Sequence, residues 1–214
     1  QSDEIFGGGG EDTLVGGGGN DTIEGGADGD ILDGGADNDV LRGKAGADLI
    51  LGYSGRDVLF GDAGHDTLAG EAGTDTLRGG HGTDTASFAF SPKGVTADLS
   101  AGTATGEGSD LMYGIEWLVG SEHPDDLSGN TRPNLIETRG GNDDLHGNDG
   151  NDYLHAGDGY DRIWGGAGSD ICVAGEVHDS CEQQDPAADN GPAIPERWAT
   201  HRGAALLPRF SLLF

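Results

Sequence analysis

The chain has 214 residues, 43 of them glycine, and a formal net charge of −28 from 39 acids against 11 bases. That balance excludes nucleic acid as a partner, which needs a basic footprint, and no apolar run is long enough to cross a membrane as a helix. At 34% hydrophobic, composition alone reads as disordered, and only a strict period argues otherwise.

Residues 1–6 lead in, with Ile5 and Phe6 placed to cover the first turn. No initiator Met or secretory leader stands at Gln1, which reads as a processed protein or an excised C-terminal region. From Gly7 to Ser87 the pattern Gly-Gly-x-Gly-x-Asp-x-U-x, with U a large aliphatic, runs nine times without a slip. The sixth positions are Asp12, Asp21, Asp30, Asp39, Asp48, Asp57, Asp66, Asp75 and Asp84. The eighth are Leu14, Ile23, Leu32, Leu41, Ile50, Leu59, Leu68, Leu77 and Ala86. Residues 88–119 break the clock. A second block, 120–182, restarts it for six repeats to Val173 and a worn seventh from Ala174. Its sixth positions read Asp125, Asn134, Asp143, Asp152, Asp161, Asp170 and Asp179, and its eighth Leu127, Ile136, Leu145, Leu154, Ile163, Cys172 and Cys181. Residues 183–214 form a tail without repeats.

This nonapeptide resembles the repeat of the RTX (repeats-in-toxin) family of secreted calcium-binding proteins. The resemblance implies an all-β fold, a parallel β-roll or right-handed β-solenoid, with several calcium ions (Ca2+) as cofactor. The Gly-rich half of each repeat makes a tight turn, since glycine accepts positive φ, and x-U-x makes a short strand. Two repeats close one coil of eighteen residues, and alternation along the strand turns position 8 inward and positions 7 and 9 outward.

Such a core is one aliphatic layer per sheet. Each buried Leu or Ile contributes roughly 1.5–3 kcal/mol, while ordering costs roughly 1.5 kcal/mol per residue, so one aliphatic per nine residues is too few. Calcium takes six to eight oxygens from carboxylates and carbonyls, which the aspartates and tight turns offer. Each ion is expected between stacked turns, with the paired aspartates eighteen residues apart. One side pairs Asp12, Asp30, Asp48, Asp66 and Asp84, and the other Asp21, Asp39, Asp57 and Asp75, about seven sites in all. In the second block the expected pairs are Asp125–Asp143, Asp143–Asp161, Asp152–Asp170 and Asp161–Asp179. Asn134 lacks the charge, so its pair with Asp152 should be weak or empty, and Arg132 sets a cation beside that turn. Asp28 and Asp37 replace glycine at position 4, as a tolerated left-handed residue or as added ligands.

In the interruption, alternation at Val95, Ala97 and Leu99, and at Ile115 and Leu118, predicts strands that continue the roll. Tyr113 and Trp117 either stack on a ligand or cover the apolar edge where the repeat breaks. Cys172 and Cys181, both at position 8, are expected to point inward from opposite sheets, as a disulfide locking the last coil or as two buried thiols. The tail holds Arg197, Trp198, Arg202 and Arg209 and ends Leu-Pro-Arg-Phe-Ser-Leu-Leu-Phe, which reads as an export signal, a docking strip or a disordered end.

No catalytic constellation stands out. The seven histidines are scattered, and there is no zinc motif or nucleophile elbow. The expected function is a secreted, extracellular module that folds on binding calcium and supports the export and stability of its parent. The resemblance implies partners in an upstream enzyme, toxin or adhesin domain and in type I export machinery. The alternative is an adhesive module that binds glycan, ice or protein through its outward faces, where position 7 reads Thr13, Ile31, Leu49, Thr67, Thr85 on one side and Thr22, Val40, Val58, Thr76 on the other.

Overall fold

The computed structural model describes residues 1–173, 176–179 and 181–184, with only the backbone at 176–179 and 182–184. The described elements are all strands, stacked in two long parallel sheets that form a β-solenoid. In the first block the front sheet takes Glu4–Gly9, Thr22–Ala27, Val40–Gly46, Val58–Gly64 and Thr76–Gly82. The back sheet takes Thr13–Gly18, Ile31–Ala36, Leu49–Gly55, Thr67–Ala69 and Thr85–Ser87.

The nine-residue clock fixes this alternation, because each Gly-rich turn carries the chain from one sheet to the other. Pairing therefore advances by eighteen residues: Ile5, Ile23, Leu41, Leu59 and Leu77 stack in the front sheet. Leu14, Leu32, Ile50, Leu68 and Ala86 stack in the back sheet. From Ile23 onward these side chains are wholly buried between the sheets.

The turns of the first block need left-handed backbone at two places in each repeat. Position 4 has it at Asp28 (φ 74°) and Asp37 (φ 80°), the substitutions visible in the sequence. Position 2 has it too, and four consecutive repeats place Lys44, Tyr53, Asp62 and Glu71 there with φ of 84°, 68°, 70° and 61°. A side chain in that region costs roughly 1–2 kcal/mol.

The interruption continues the roll on both faces, but unequally. Ser109–Tyr113 pairs parallel with Thr76–Gly82, then antiparallel with Thr103–Thr105, which pairs antiparallel with Thr96–Asp98, which in turn pairs parallel with Asp126–Ser128. The back sheet meanwhile adds Trp117–Val119 alone, between Thr85–Ser87 and Leu135–Glu137. Three strands against one make the front face longer here by about 10 Å, at ~4.8 Å per strand. Val95, Ala97, Ile115 and Leu118 are buried as their alternation predicts, and Leu99 packs half-buried against the core.

The second block resumes the eighteen-residue step, Leu127 to Leu145 to Ile163 in front and Ile136 to Leu154 to Cys172 behind. The last coil is shorter than the sequence suggests. Val177, not Cys181, lies opposite Ile163, and Cys181 pairs in register with Asp170 on the back sheet. The two cysteines therefore share one sheet rather than facing each other from opposite sheets. They are bonded, with Cα atoms 5.9 Å apart, inside the range a disulfide spans.

Candidate metal centre

The position-6 aspartates stand in two ladders, one along each edge of the roll. From Asp21 to Asp84 each carboxylate accepts, on Oδ1, the backbone N–H of the residue one coil earlier. The N–H of Asp39 donates to Asp57 at 2.8 Å, that of Asp48 to Asp66 at 2.9 Å, and that of Asp57 to Asp75 at 2.9 Å. The same bond joins Asp12 to Asp30, Asp21 to Asp39, Asp30 to Asp48 and Asp66 to Asp84. The eighteen-residue pairs read from the sequence are thus adjacent in space throughout the first block. Asp3 begins one ladder by donating to Asp21 at 2.7 Å.

The second carboxylate oxygen is left over. Oδ2 of Asp12, Asp21, Asp30, Asp39, Asp48, Asp57, Asp66, Asp75, Asp84, Asp143, Asp152, Asp161 and Asp170 is buried with no hydrogen-bond partner. A buried anionic oxygen without a partner is costly, and here the arrangement recurs at nearly every level. At Asp12, Asp21, Asp30, Asp39, Asp57, Asp66, Asp84 and Asp152 a backbone carbonyl oxygen converges with Oδ2 on the position-1 glycine. A methyl group built on Gly52 would lie 2.7 Å from Asp57 Oδ2 and 2.9 Å from the Gly70 carbonyl oxygen; on Gly34 it would lie 2.7 Å from Asp39 Oδ2 and 3.1 Å from the Gly52 oxygen. At these levels position 1 is glycine because carboxylate and carbonyl oxygens converge on it, not because its φ demands it, whereas Thr138 and Ala156 stand at position 1 in the second block. Among the described residues no three His, Cys, Asp or Glu side chains gather as a metal cluster. An ion held here would draw on two stacked aspartates and on turn carbonyls. This all-oxygen, charge-rich donor set suits a hard cation such as calcium.

Electrostatics agree with the geometry. Burial, reinforced by the neighbouring carboxylates of the same ladder, pushes Asp57 and Asp66 up to about 7. Burial likewise pushes Asp48 and Asp84 up to about 6 and raises Asp39 and Asp75. The N–H bond that each accepts pulls the other way without prevailing. In the second block Asp143 rises to about 6 and Asp152 to about 7, and Asp161 is raised, again chiefly by burial.

The second block departs from the first in three places. Asp125 receives the Val95 N–H at 2.8 Å, and both its oxygens are bonded by Ser121, Oδ2 by the backbone N–H at 2.7 Å and Oδ1 by the hydroxyl at 2.8 Å. Asn134 is likewise engaged: its Oδ1 accepts the Asn130 N–H at 2.8 Å and its Nδ2 donates to the Glu116 carbonyl at 2.9 Å. Asp179 lies in register with Trp164, not with Asp161, so the expected Asp161–Asp179 pair is not brought together; its side chain lies outside the described residues. The pairs Asp125–Asp143, Asp143–Asp161 and Asp152–Asp170 do stack, joined by the same N–H to Oδ1 bond at 2.9 Å.

Two acids extend the ladders across the interruption and were not singled out from the sequence. Asp110 accepts the Asp75 N–H at 3.0 Å, and Glu116 accepts the Asp84 N–H at 3.1 Å. Burial pushes Asp110 up to about 6. A signal existed: each stands two residues before an inward apolar residue, Met112 and Leu118, as in the repeats. Asp28 and Asp37 accept the Gly10 and Gly19 N–H at 3.2 Å, a structural use of their position-4 carboxylates. Arg132 lies 3.9 Å from Glu116. Tyr113 and Trp117 separate, with Tyr113 46% exposed on the front sheet and Trp117 buried on the back. His146 and His155 lie on opposite sheets, and His146 stacks on Trp164 at 4.3 Å.

Residues 2–32, 33–68, 60–87, 119–154 and 146–181 match the family model described as RTX calcium-binding nonapeptide repeat (4 copies). No curated protein matches the chain.

Proposed function

Because this chain belongs to the family of RTX calcium-binding nonapeptide repeats, we propose that it is a calcium-binding β-roll whose folding is driven by the ions it takes up. The observation that carries this reading is the row of buried Oδ2 atoms without a partner, most of them beside a turn carbonyl. Without a cation the roll must bury like charges along both edges. With calcium between coils the same oxygens become ligands. The proposed ligands are Asp12, Asp21, Asp30, Asp39, Asp48, Asp57, Asp66, Asp75 and Asp84, then Asp143, Asp152, Asp161 and Asp170, with Asp110 added where the first block ends. Asp125 is a weaker candidate because Ser121 already bonds both its oxygens.

The residues contribute in two ways. Each Oδ1 bond holds its carboxylate in register with the next coil, so the oxygens are aimed before an ion arrives. Each Oδ2 supplies charge. Ions that bind only the folded state stabilise it by mass action. At the sub-micromolar calcium of a cell interior, sensor-strength sites stay empty, and charge repulsion keeps the chain open. At extracellular calcium the sites fill. This supports a secreted module that leaves the cell unfolded, folds outside and stabilises a neighbouring domain, a binding rather than a catalytic role. Far-UV circular dichroism during a calcium titration after chelation tests it, with magnesium as control. A steep gain of β signal with calcium alone is expected. A β signal that chelator cannot remove refutes the reading.

One observation favours a second use of the same roll. The outward row of the front sheet places Phe6, Glu24, Arg42, Phe60, Arg78 and Tyr113 in register. The Arg42 guanidinium lies 3.9 Å over Phe60, and that of Arg78 lies 4.6 Å over Tyr113. Stacked guanidinium and aromatic groups on a flat face suit a glycan or an acidic partner. A glycan pull-down with and without calcium, repeated with R42A/R78A, separates this adhesive reading from the folding module.

A further inference from the structure

The outer face of the front sheet gathers the positive charge of the first block. Residues 1–87 hold four bases, Arg42, Lys44, Arg56 and Arg78. Three of them stand on the front strands Val40–Gly46 and Thr76–Gly82. Carboxylates do little to hold the two arginines there, although the chain has 39 acids. Lys44 takes Glu24 at 3.3 Å, whereas Arg42 comes only to 4.0 Å from Asp62. Among the described residues Arg78 enters no ion pair. Aromatic rings hold the guanidinium groups instead. Arg42 lies 3.9 Å over Phe60, and Arg78 lies 6.0 Å from Phe60 and 4.6 Å from Tyr113. A guanidinium held over a ring keeps its edge N–H donors for a planar anion. Arg78 and Tyr113 are exposed, and Arg42 and Phe60 are half-buried. Beside this row Val40, Val58, Thr76 and Leu111 stand in register as an uncharged flank.

Register sets the spacing. Arg42, Phe60, Arg78 and Tyr113 occupy four successive strands of the sheet. The arginines are therefore two strand steps apart, ~10 Å at ~4.8 Å per step. The rings repeat at the same interval, one step out of phase. We propose that this face binds an acidic polysaccharide built of disaccharide repeats with one anionic group each. The proposal rests on the adhesive reading of the front sheet and names its ligand. Two linked pyranose units in an extended chain have about the length of this interval, so successive repeats set an anionic group on each arginine and an uncharged sugar against each ring. An extended peptide presents same-face side chains every ~6.6 Å and falls out of step with the arginines after one repeat.

The test uses the full chain in saturating calcium, with hyaluronan decasaccharide as probe because it carries one carboxylate per disaccharide. Calorimetry should show binding that R42A and R78A each weaken about tenfold, with the β signal in circular dichroism retained. R78K should weaken it as well, since lysine keeps the charge and loses the planar fork; an R78K variant that binds like the native chain overturns the proposal. Neutral chitohexaose binding as tightly overturns the acidic ligand and leaves the adhesive reading standing. Binding of neither glycan overturns both. Poly-glutamate binding as tightly as hyaluronan overturns the polysaccharide in favour of an acidic peptide. A second measurement needs no variant: the decasaccharide should slow phenylglyoxal modification of Arg78 in the native chain several-fold, and an unchanged rate overturns the proposal.

Discussion

Asp57→Asn offers a test in which the predicted sign depends on calcium. The amide keeps Oδ1 as acceptor for the Asp39 N–H at 2.8 Å, so the ladder register survives. It replaces Oδ2, the buried oxygen with no partner, with an uncharged NH2 group that faces the Gly70 carbonyl. Asp57 stacks between Asp39 and Asp75, so the proposed ions on both of its sides would use it. A site held at about a hundred times its dissociation constant contributes about 2.7 kcal/mol. Losing two removes roughly 5 kcal/mol of calcium-linked stability, or about 10–20 °C of Tm for a chain of this size. In chelator the sign reverses. Burial pushes Asp57 up to about 7, so at pH 7.5 the native carboxylate is ionised against its environment, and neutralising it stabilises whatever metal-free fold exists. The assay is thermal unfolding by circular dichroism in EDTA and in millimolar calcium, with calcium stoichiometry by calorimetry. An unchanged calcium-induced rise in Tm would refute the reasoning, as would destabilisation of equal size in both buffers.

Three further outcomes follow from the same geometry. Gly52→Ala keeps every carboxylate but puts a methyl 2.7 Å from Asp57 Oδ2 and 2.9 Å from the Gly70 oxygen, so calorimetry should show a site lost; full stoichiometry would mean that the ion does not use this space. Metal-free compaction should depend on pH in a defined direction. The ladder groups pushed up to about 6 or 7, Asp48, Asp57, Asp66, Asp84, Asp110, Asp143 and Asp152, hold protons in the folded state that the unfolded chain releases near pH 4. Their contribution is full below about pH 4 and is lost as pH rises through 6 to 7, so β signal in EDTA should be greatest in acid, and calcium affinity should climb over the same interval. Glu71→Gly relieves a left-handed residue at φ 61° and should raise stability in calcium by about 1 kcal/mol, read as a higher midpoint in urea.

Much of this was legible in the sequence because the fold is a translation. Each repeat contacts its neighbours in the same way, so a strict nine-residue period names the inward residues from Ile23 to Cys172 and stacks aspartates eighteen apart. Strand alternation does the rest. Where the period fails, the inference fails with it. Asp110 and Glu116 join the ladders at separations of 35 and 32 residues, which no clock reports, since strand pairing across the interruption sets them. The last coil contracts, placing Cys181 beside Cys172 on one sheet and Asp179 opposite Trp164.

What the sequence determined by itself is the roll, its inward layer and the eighteen-residue spacing of its aspartate ladders. Only the tertiary structure decided which oxygens stay open. Asp125 and Asp143 occupy the same repeat position, yet Ser121 bonds both oxygens of one while Oδ2 of the other has no partner. It also decided that Trp117, Leu135 and Tyr153 are buried although they point out of the roll. The physical reason is common to both. Repetition specifies contacts between equivalent positions, whereas a local cap or an overlying segment depends on where non-repeating chain returns in space.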